Sequence, residues 1–210
     1  MSVMPTTTLD GVDAAIIRGD GIGIFDRILD SGVHLVLWER ARPAPLVWVD
    51  GLDRGVIDDI DATVEGPDFA AGAGRLLRQA GYPADTDGLA LAGEIARLAG
   101  RFARLMRSAR LRLRLEVIET DACRKFHQDN VTVRLLMPLS GPGTQWTVAS
   151  RADEATINQL SPGEVGLFKG RLGAPVPLIL HRSPPIAGSG QGRLLLAIDP
   201  RGSGEDGGGE

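Results

Sequence analysis

Three histidines occur in the chain, and His127 and His181 fall in its C-terminal half within settings that belong together. These settings are F-H-Q-D at Phe126–Asp129, L-H-R-S at Leu180–Ser183 and, beyond them, G-R-L-L-L-A-I-D at Gly192–Asp199. Residues two apart on a strand project from one face with Cα atoms about 6.6 Å apart, so the imidazole of His127 and the carboxylate of Asp129 can converge on one ion at ligand distances of about 2 Å. A third ligand has to come from a distant strand, and His181, ending an apolar run, is the other histidine of this half. Two histidines and one carboxylate form the facial triad that leaves positions open on non-haem Fe(II). Arg193 starts the last apolar run, where a guanidinium fixed by a sheet is the planar fork that grips a carboxylate through two hydrogen bonds. Each residue alone also has an ordinary reading, as a packed histidine or a solvated strand-edge arginine. The set of four carries the inference.

The elements that position these residues follow from periodicity. Ile24, Phe25, Ile28 and Leu29 recur at helical spacing between Asp20, the expected N-cap, and Gly32. Leu91, Ile95, Leu98, Phe102 and Leu105 alternate steps of four and three, which predicts a helix over Asp87–Arg107 with Arg97, Arg101, Arg104 and Arg107 on its solvated side. Two β-type runs, His34–Glu39 and Leu46–Val49, flank the proline-containing A-R-P-A-P and could pair as a hairpin. After Arg110 the texture changes: Leu111, Leu113, Leu115 and Val117 alternate with Arg112, Arg114 and Glu116, the mark of a half-buried strand. Further runs at Val131–Met137, Thr144–Ala149, Val165–Phe168, Val176–His181 and Arg193–Ile198 predict a barrel or two-sheet jelly roll. The tail G-S-G-E-D-G-G-G-E has no apolar residue and should be disordered.

Composition narrows the functional classes. With 43% hydrophobic residues in 210, the chain can bury a core, and a formal net charge of −4 offers no strongly basic face to nucleic acid. Cys123 is the single cysteine, so no internal disulfide forms. No signal-peptide pattern opens the sequence and no run of about 18 apolar residues crosses a membrane, which predicts a cytoplasmic protein. Arginine dominates over two lysines, a bias that suits a GC-rich bacterial genome. G-D-G-I-G at Gly19–Gly23 matches no phosphate-loop pattern, and no G-x-S-x-G elbow of a hydrolase occurs.

H-x-D, about 50 residues, His, then ten to fourteen residues and Arg resembles the Fe(II)- and 2-oxoglutarate-dependent dioxygenases. More closely, C-R-K-F-H-Q-D-N-V-T-V-R-L-L and G-P-G-T-Q-W resemble a bacterial family known as the domain of unknown function numbered eighteen twenty-six, over Leu111–Asp199. The resemblance implies an α+β protein with a double-stranded β-helix core, jelly-roll or cupin-like, preceded by a helical and mixed N-terminal half. It implies His127, Asp129 and His181 as ligands of Fe(II), and Arg193 as the anchor of the distal carboxylate of 2-oxoglutarate. The chain would then be one domain over residues 1–201, with 1–110 as a buttress, 111–201 as the core and 202–210 as a tail.

Two other readings stay open. The closer family is associated with bacterial zinc homeostasis, so a cupin-like zinc-binding protein without oxygenase activity could use the same three residues. The third is a metal-free β-sandwich binding module. Cys123 bears on the choice of metal: in a continuous strand its Cα lies about 13 Å from that of His127, a bystander's distance, whereas a turn at D-A-C-R would swing the thiolate towards the site and favour zinc. Trp146 is either a lining residue of the pocket or a core tryptophan.

Overall fold

The computed structural model describes residues 14–121, 123–151 and 157–201. Its strands are β1 Ile16–Gly19, β2 Leu35–Trp38, β3 Ile60–Glu65, β4 Arg110–Ile118, β5 Val133–Ser140, β6 Gln145–Val148, β7 Asn158–Gln159, β8 Val165–Lys169, β9 Ile179–Arg182 and β10 Arg193–Pro200. Two α-helices, α1 Phe69–Gln79 and α2 Thr86–Met106, lie between β3 and β4. The protein is therefore α+β, and the N-terminal strands join the same large sheet as the C-terminal ones.

Local chemistry fixes the helices. Asp85 caps α2 by accepting from the backbone N–H groups of Asp87 and Gly88, and Asp68 caps α1 by accepting from Ala71. Along α2 the expected face, Leu91, Ile95, Leu98, Phe102 and Leu105, is buried. The arginine face of α2 is not simply solvated. Arg97 pairs with Glu94 and lies over the Trp38 ring, while Arg101 pairs with Asp26 at 2.7 Å.

The first helical segment, Ile22–Leu29, is a 3-10 helix whose N-cap is Gly21 rather than Asp20, with no side-chain cap. The run Leu46–Val49 is not a strand either, and no hairpin forms there. It lies in the 3-10 helix Ala44–Gly51, because Pro43 and Pro45 remove strand donors and preset helical φ, and the buried Leu46 and Val49 stand three apart. Instead, β2 pairs with β1 and β8.

Seven strands form a mixed sheet in the order β1-β2-β8-β5-β10-β4-β3, and a second sheet has the order β7-β6-β9. From β4 onward the chain shuttles between them: β5, β8 and β10 go to the large sheet, and β6, β7 and β9 to the small one. Alternation gives each strand of the large sheet two working faces. Leu111, Leu113, Leu115, Leu135, Met137, Leu194 and Leu196 pack with the helices, whereas Leu136, Leu195, Ala197 and Phe168 pack with Trp146 and Ile179 of the small sheet. The space between the sheets holds the residues singled out for chemistry. The tail, 202–210, lies outside the described residues. Among the described residues no helix is long and apolar enough to cross a membrane.

Candidate metal and carboxylate site

His127 and His181 come together through the backbone. Each donates its N–H to the other's carbonyl at 3.0 Å, an antiparallel bridge at the free edge of β9. The bridge sets the two rings 4.7 Å apart, and Asp129 follows within the same segment. The nearest ligating atoms of His127, Asp129 and His181 all lie within 4.8 Å of one another. His181 Nε2 stands 2.8 Å from Asp129 Oδ2, and His127 Nε2 stands 3.5 Å from Asp129 Oδ1.

The Nδ1 of His127 lies 2.9 Å from the Lys125 carbonyl, which can only accept, so one ring proton sits on Nδ1. Hydrogen bonding to Asp129 raises the imidazole above its ordinary value against its burial, so a cation at Nε2 takes the place of a second proton there. Burial pushes His181 below the ordinary imidazole value against the pull of Asp129, leaving it neutral. Burial alone would raise Asp129, but its close contacts with His127 and His181 and the charge of Arg134 outweigh it and hold the carboxyl well below its ordinary value, so it stays ionised. Asp129 Oδ2 and His181 Nε2 are both buried and neither makes a hydrogen bond. Two buried acceptor-type atoms facing each other at this distance are a donor set that a divalent cation satisfies.

Arg193 opens β10 and is fully buried. Its Nη2 donates to Thr144 Oγ1 at 3.1 Å, while Nε and Nη1 have no hydrogen-bond partner among the described residues. Burial brings the guanidinium down to about 10, and it remains charged at neutral pH. Arg193, Thr144, Arg134, His127 and His181 line one cavity of about 150 Å³. Glu116 lines the same cavity and its charge acts on Arg193 without a hydrogen bond to it, so the guanidinium can still take a carboxylate end-on through Nη1 and Nη2.

Cys123 also lines this cavity. It adopts a left-handed turn at φ 57, so the strand is not continuous through 123–129, yet the sulfur is not one of the clustered ligand atoms. Trp146 pairs with His181 across β6 and β9 and is buried in the core between the sheets, with the Arg18 guanidinium 5.5 Å from its ring.

Sequence reasoning passed over Arg134, Asp199 and Thr144. Arg134 reaches Asp129 Oδ1 at 2.5 Å and binds both oxygens of Asp199. Their signal was available: a charge within each of the apolar runs V-T-V-R-L-L-M and L-L-L-A-I-D requires a partner if the strand is buried.

The fold is shared with a 2-oxoglutarate-binding dioxygenase. The structure of dioxygenase for auxin oxidation 1 from Arabidopsis thaliana, a complex with 2-oxoglutarate, is 10% identical with a TM-score of 0.54, over 89% of this chain and 92% of that one. A rice dioxygenase for auxin oxidation is 15% identical with a TM-score of 0.47, over 88% and 82%. A prolyl-4-hydroxylase from Pseudomonas putida is 14% identical with a TM-score of 0.45, over 86% and 98%. Within that structural class the chain belongs to the family described as protein of unknown function (DUF1826), whose model matches residues 19–199. Comparison with the curated proteins finds no match.

Proposed function

We propose that this protein is a non-haem Fe(II)- and 2-oxoglutarate-dependent oxygenase, a single domain over residues 1–201 with a double-stranded β-helix core at 111–201. One observation carries the reading: a His-Asp-His cluster holds two buried, unsatisfied ligand atoms, and its two histidines line a small cavity together with a fully buried arginine that has unused donors. A plain zinc-holding site has no use for the second feature.

In this reading His127, Asp129 and His181 hold the metal through Nε2, Oδ2 and Nε2. Arg193 takes the distal carboxylate of 2-oxoglutarate end-on, through Nη1 and the second hydrogen of Nη2, and Thr144, which accepts the first, holds the guanidinium in place. The bound iron supplies oxygen activation coupled to decarboxylation of 2-oxoglutarate to succinate, with oxidation of a second substrate. The protein contributes orientation and dryness: Phe168 stacks 4.9 Å from the His181 ring, and Leu195 and Ala197 keep water from the cavity wall.

The test is an anaerobic titration with Fe(II) and Zn(II) of wild-type protein and of His127→Ala, Asp129→Ala and His181→Ala. The wild type should take one ion per chain, and Asp129→Ala should lose it while retaining its circular dichroism spectrum. Wild-type metal content in all three variants would overturn the ligand set. Zinc binding without any binding of 2-oxoglutarate would move the assignment to a zinc protein.

A further inference from the structure

We propose that Arg134 is a positioning residue that holds Oδ1 of Asp129, reserves Oδ2 for the metal, and is itself fixed by Asp199. The inference rests on the metal-site reading above and adds to it a part for two residues outside the ligand set.

Asp129 sits in the irregular segment between the His127 bridge and β5, where the backbone alone does not lock a side chain. A lone carboxylate there could turn either oxygen, or both, towards an ion. Arg134 removes that freedom. Its Nη1 lies 2.5 Å from Asp129 Oδ1, while Oδ2 keeps no hydrogen-bond partner and faces His181 Nε2. The two oxygens are thus divided between a guanidinium and the cation site.

Arg134 is in turn held on the sheet. Nε donates to Asp199 Oδ1 at 2.7 Å and Nη2 to Asp199 Oδ2 at 2.8 Å, the two-bond fork that fixes orientation as well as distance. Arg134 belongs to β5 and Asp199 to β10, adjacent strands in the middle of the large sheet. All three side chains are largely buried, at 15% exposure for Arg134, 10% for Asp129 and 6% for Asp199. A rigid strand pair therefore carries its order outward to a loop ligand.

Charge explains why Asp199 is needed. An isolated guanidinium next to Asp129 would repel a divalent cation and drain the ligand's negative charge. Asp199 offsets part of the field that Arg134 exerts on Asp129 and the two histidines, so that the geometry of the fork is gained with less repulsion of the ion. Outer partners of this kind typically change metal affinity by about 10- to 100-fold.

The pair permits a charge-neutral test. Arg134→Met alone leaves Asp199 buried without its fork, which puts the fold at risk; Arg134→Met with Asp199→Leu removes one positive and one negative charge together, and Arg114, 3.6 Å from Asp199 in the wild type, keeps Glu116 at 3.7 Å. Co(II) serves as the probe, read by titration and by its visible ligand-field spectrum, with thermal melting as the check on folding. The double variant should bind Co(II) about 10- to 100-fold more weakly and with an altered spectrum, because Asp129 is free to turn. Arg134→Lys, which keeps the charge without the fork, should fall between the two and stands in if the double variant does not fold. An affinity within threefold of wild type together with an unchanged Co(II) spectrum, in whichever variant folds, would overturn the proposal. Wild-type protein that binds no Co(II) would instead sink the metal-site reading itself.

Discussion

Arg193→Lys separates the carboxylate fork from mere positive charge. In the wild type Nη1 is buried and unpartnered among the described residues and Nη2 spends one of its two hydrogens on Thr144, so a carboxylate entering the cavity can take two charge-assisted hydrogen bonds, one from each, at no cost in broken ones. Lysine keeps a cation at the wall but presents a single compact ammonium, and one of the two bonds is lost. A hydrogen bond to a charged group contributes about 1.5–3 kcal/mol, which predicts a Kd for 2-oxoglutarate raised roughly 10- to 150-fold. The assay is calorimetric titration of 2-oxoglutarate into Co(II)-loaded protein without oxygen, wild type beside Arg193→Lys. Repeating it with 2-oxobutyrate, which has the same keto-acid end but no distal carboxylate, locates the loss. The substitution should weaken 2-oxoglutarate and leave 2-oxobutyrate within about twofold. Equal weakening of both ligands, or of neither, would refute the role given to Arg193.

Four further outcomes follow from particular contacts. Arg193→Met removes a buried cation whose only hydrogen-bond partner among the described residues is a hydroxyl, so the ligand-free protein should become more stable by on the order of 1–3 kcal/mol, roughly 3–10 °C in Tm, while losing 2-oxoglutarate binding; a fall in Tm counts against an unsatisfied charge. A Cβ at Gly170 would stand 2.1 Å from the Val131 carbonyl and 2.9 Å from that of Asp129, so Gly170→Ala should displace the ligand segment, with Co(II) affinity and Tm both reduced; wild-type values would show that the segment gives way freely. Hydrogen bonding from Arg112 holds the Asp61 carboxyl below its ordinary value of 3.8, so the pair stabilises the fold above about pH 4 and stops doing so as pH falls through the lowered value. The stability gap between wild type and Asp61→Asn, no more than about 1 kcal/mol for so exposed a pair and read as a difference in Tm, should therefore be present at pH 6 and close towards pH 2; a gap that widens on acidification reverses the sign. Cys123→Ser should leave Fe(II) and Zn(II) affinities within about twofold, since the sulfur stands outside the clustered ligand atoms, and a tenfold loss for zinc would make the thiolate a ligand.

What the sequence made legible was whatever local periodicity encodes. The alternation from Leu111 to Val117 became β4, and the steps of four and three from Leu91 to Leu105 became α2 with its cap at Asp85. Where proline competed with β-branched composition, at Leu46–Val49, the propensity of Val and Trp pointed to a strand and Pro43 and Pro45 decided for a 3-10 turn. Helix α1 passed unseen although its buried Phe69, Ala73 and Leu77 stand four apart, because Gly72 and Gly74 between them read as helix breakers. In the site, His127, Asp129, His181 and Arg193 were visible as residue types at spacing, but their meeting depends on one backbone bridge between residues 54 apart, which no local window contains. Arg134 was hidden for a related reason. Its partners, Asp129 and Asp199, come from a loop and from the last strand, and only the β5–β10 pairing brings them to one guanidinium.

The most direct test of an iron- and 2-oxoglutarate-dependent site is the visible absorption of the anaerobic protein when Fe(II) and 2-oxoglutarate are added in turn. A keto acid chelating iron within a 2-His-1-carboxylate site produces a charge-transfer band that neither component gives alone. The band should appear in wild-type protein only with both present, saturate at one 2-oxoglutarate per iron, and be absent from Asp129→Ala. Iron-loaded wild-type protein that takes up 2-oxoglutarate with no band, or does not take it up at all, would contradict the account.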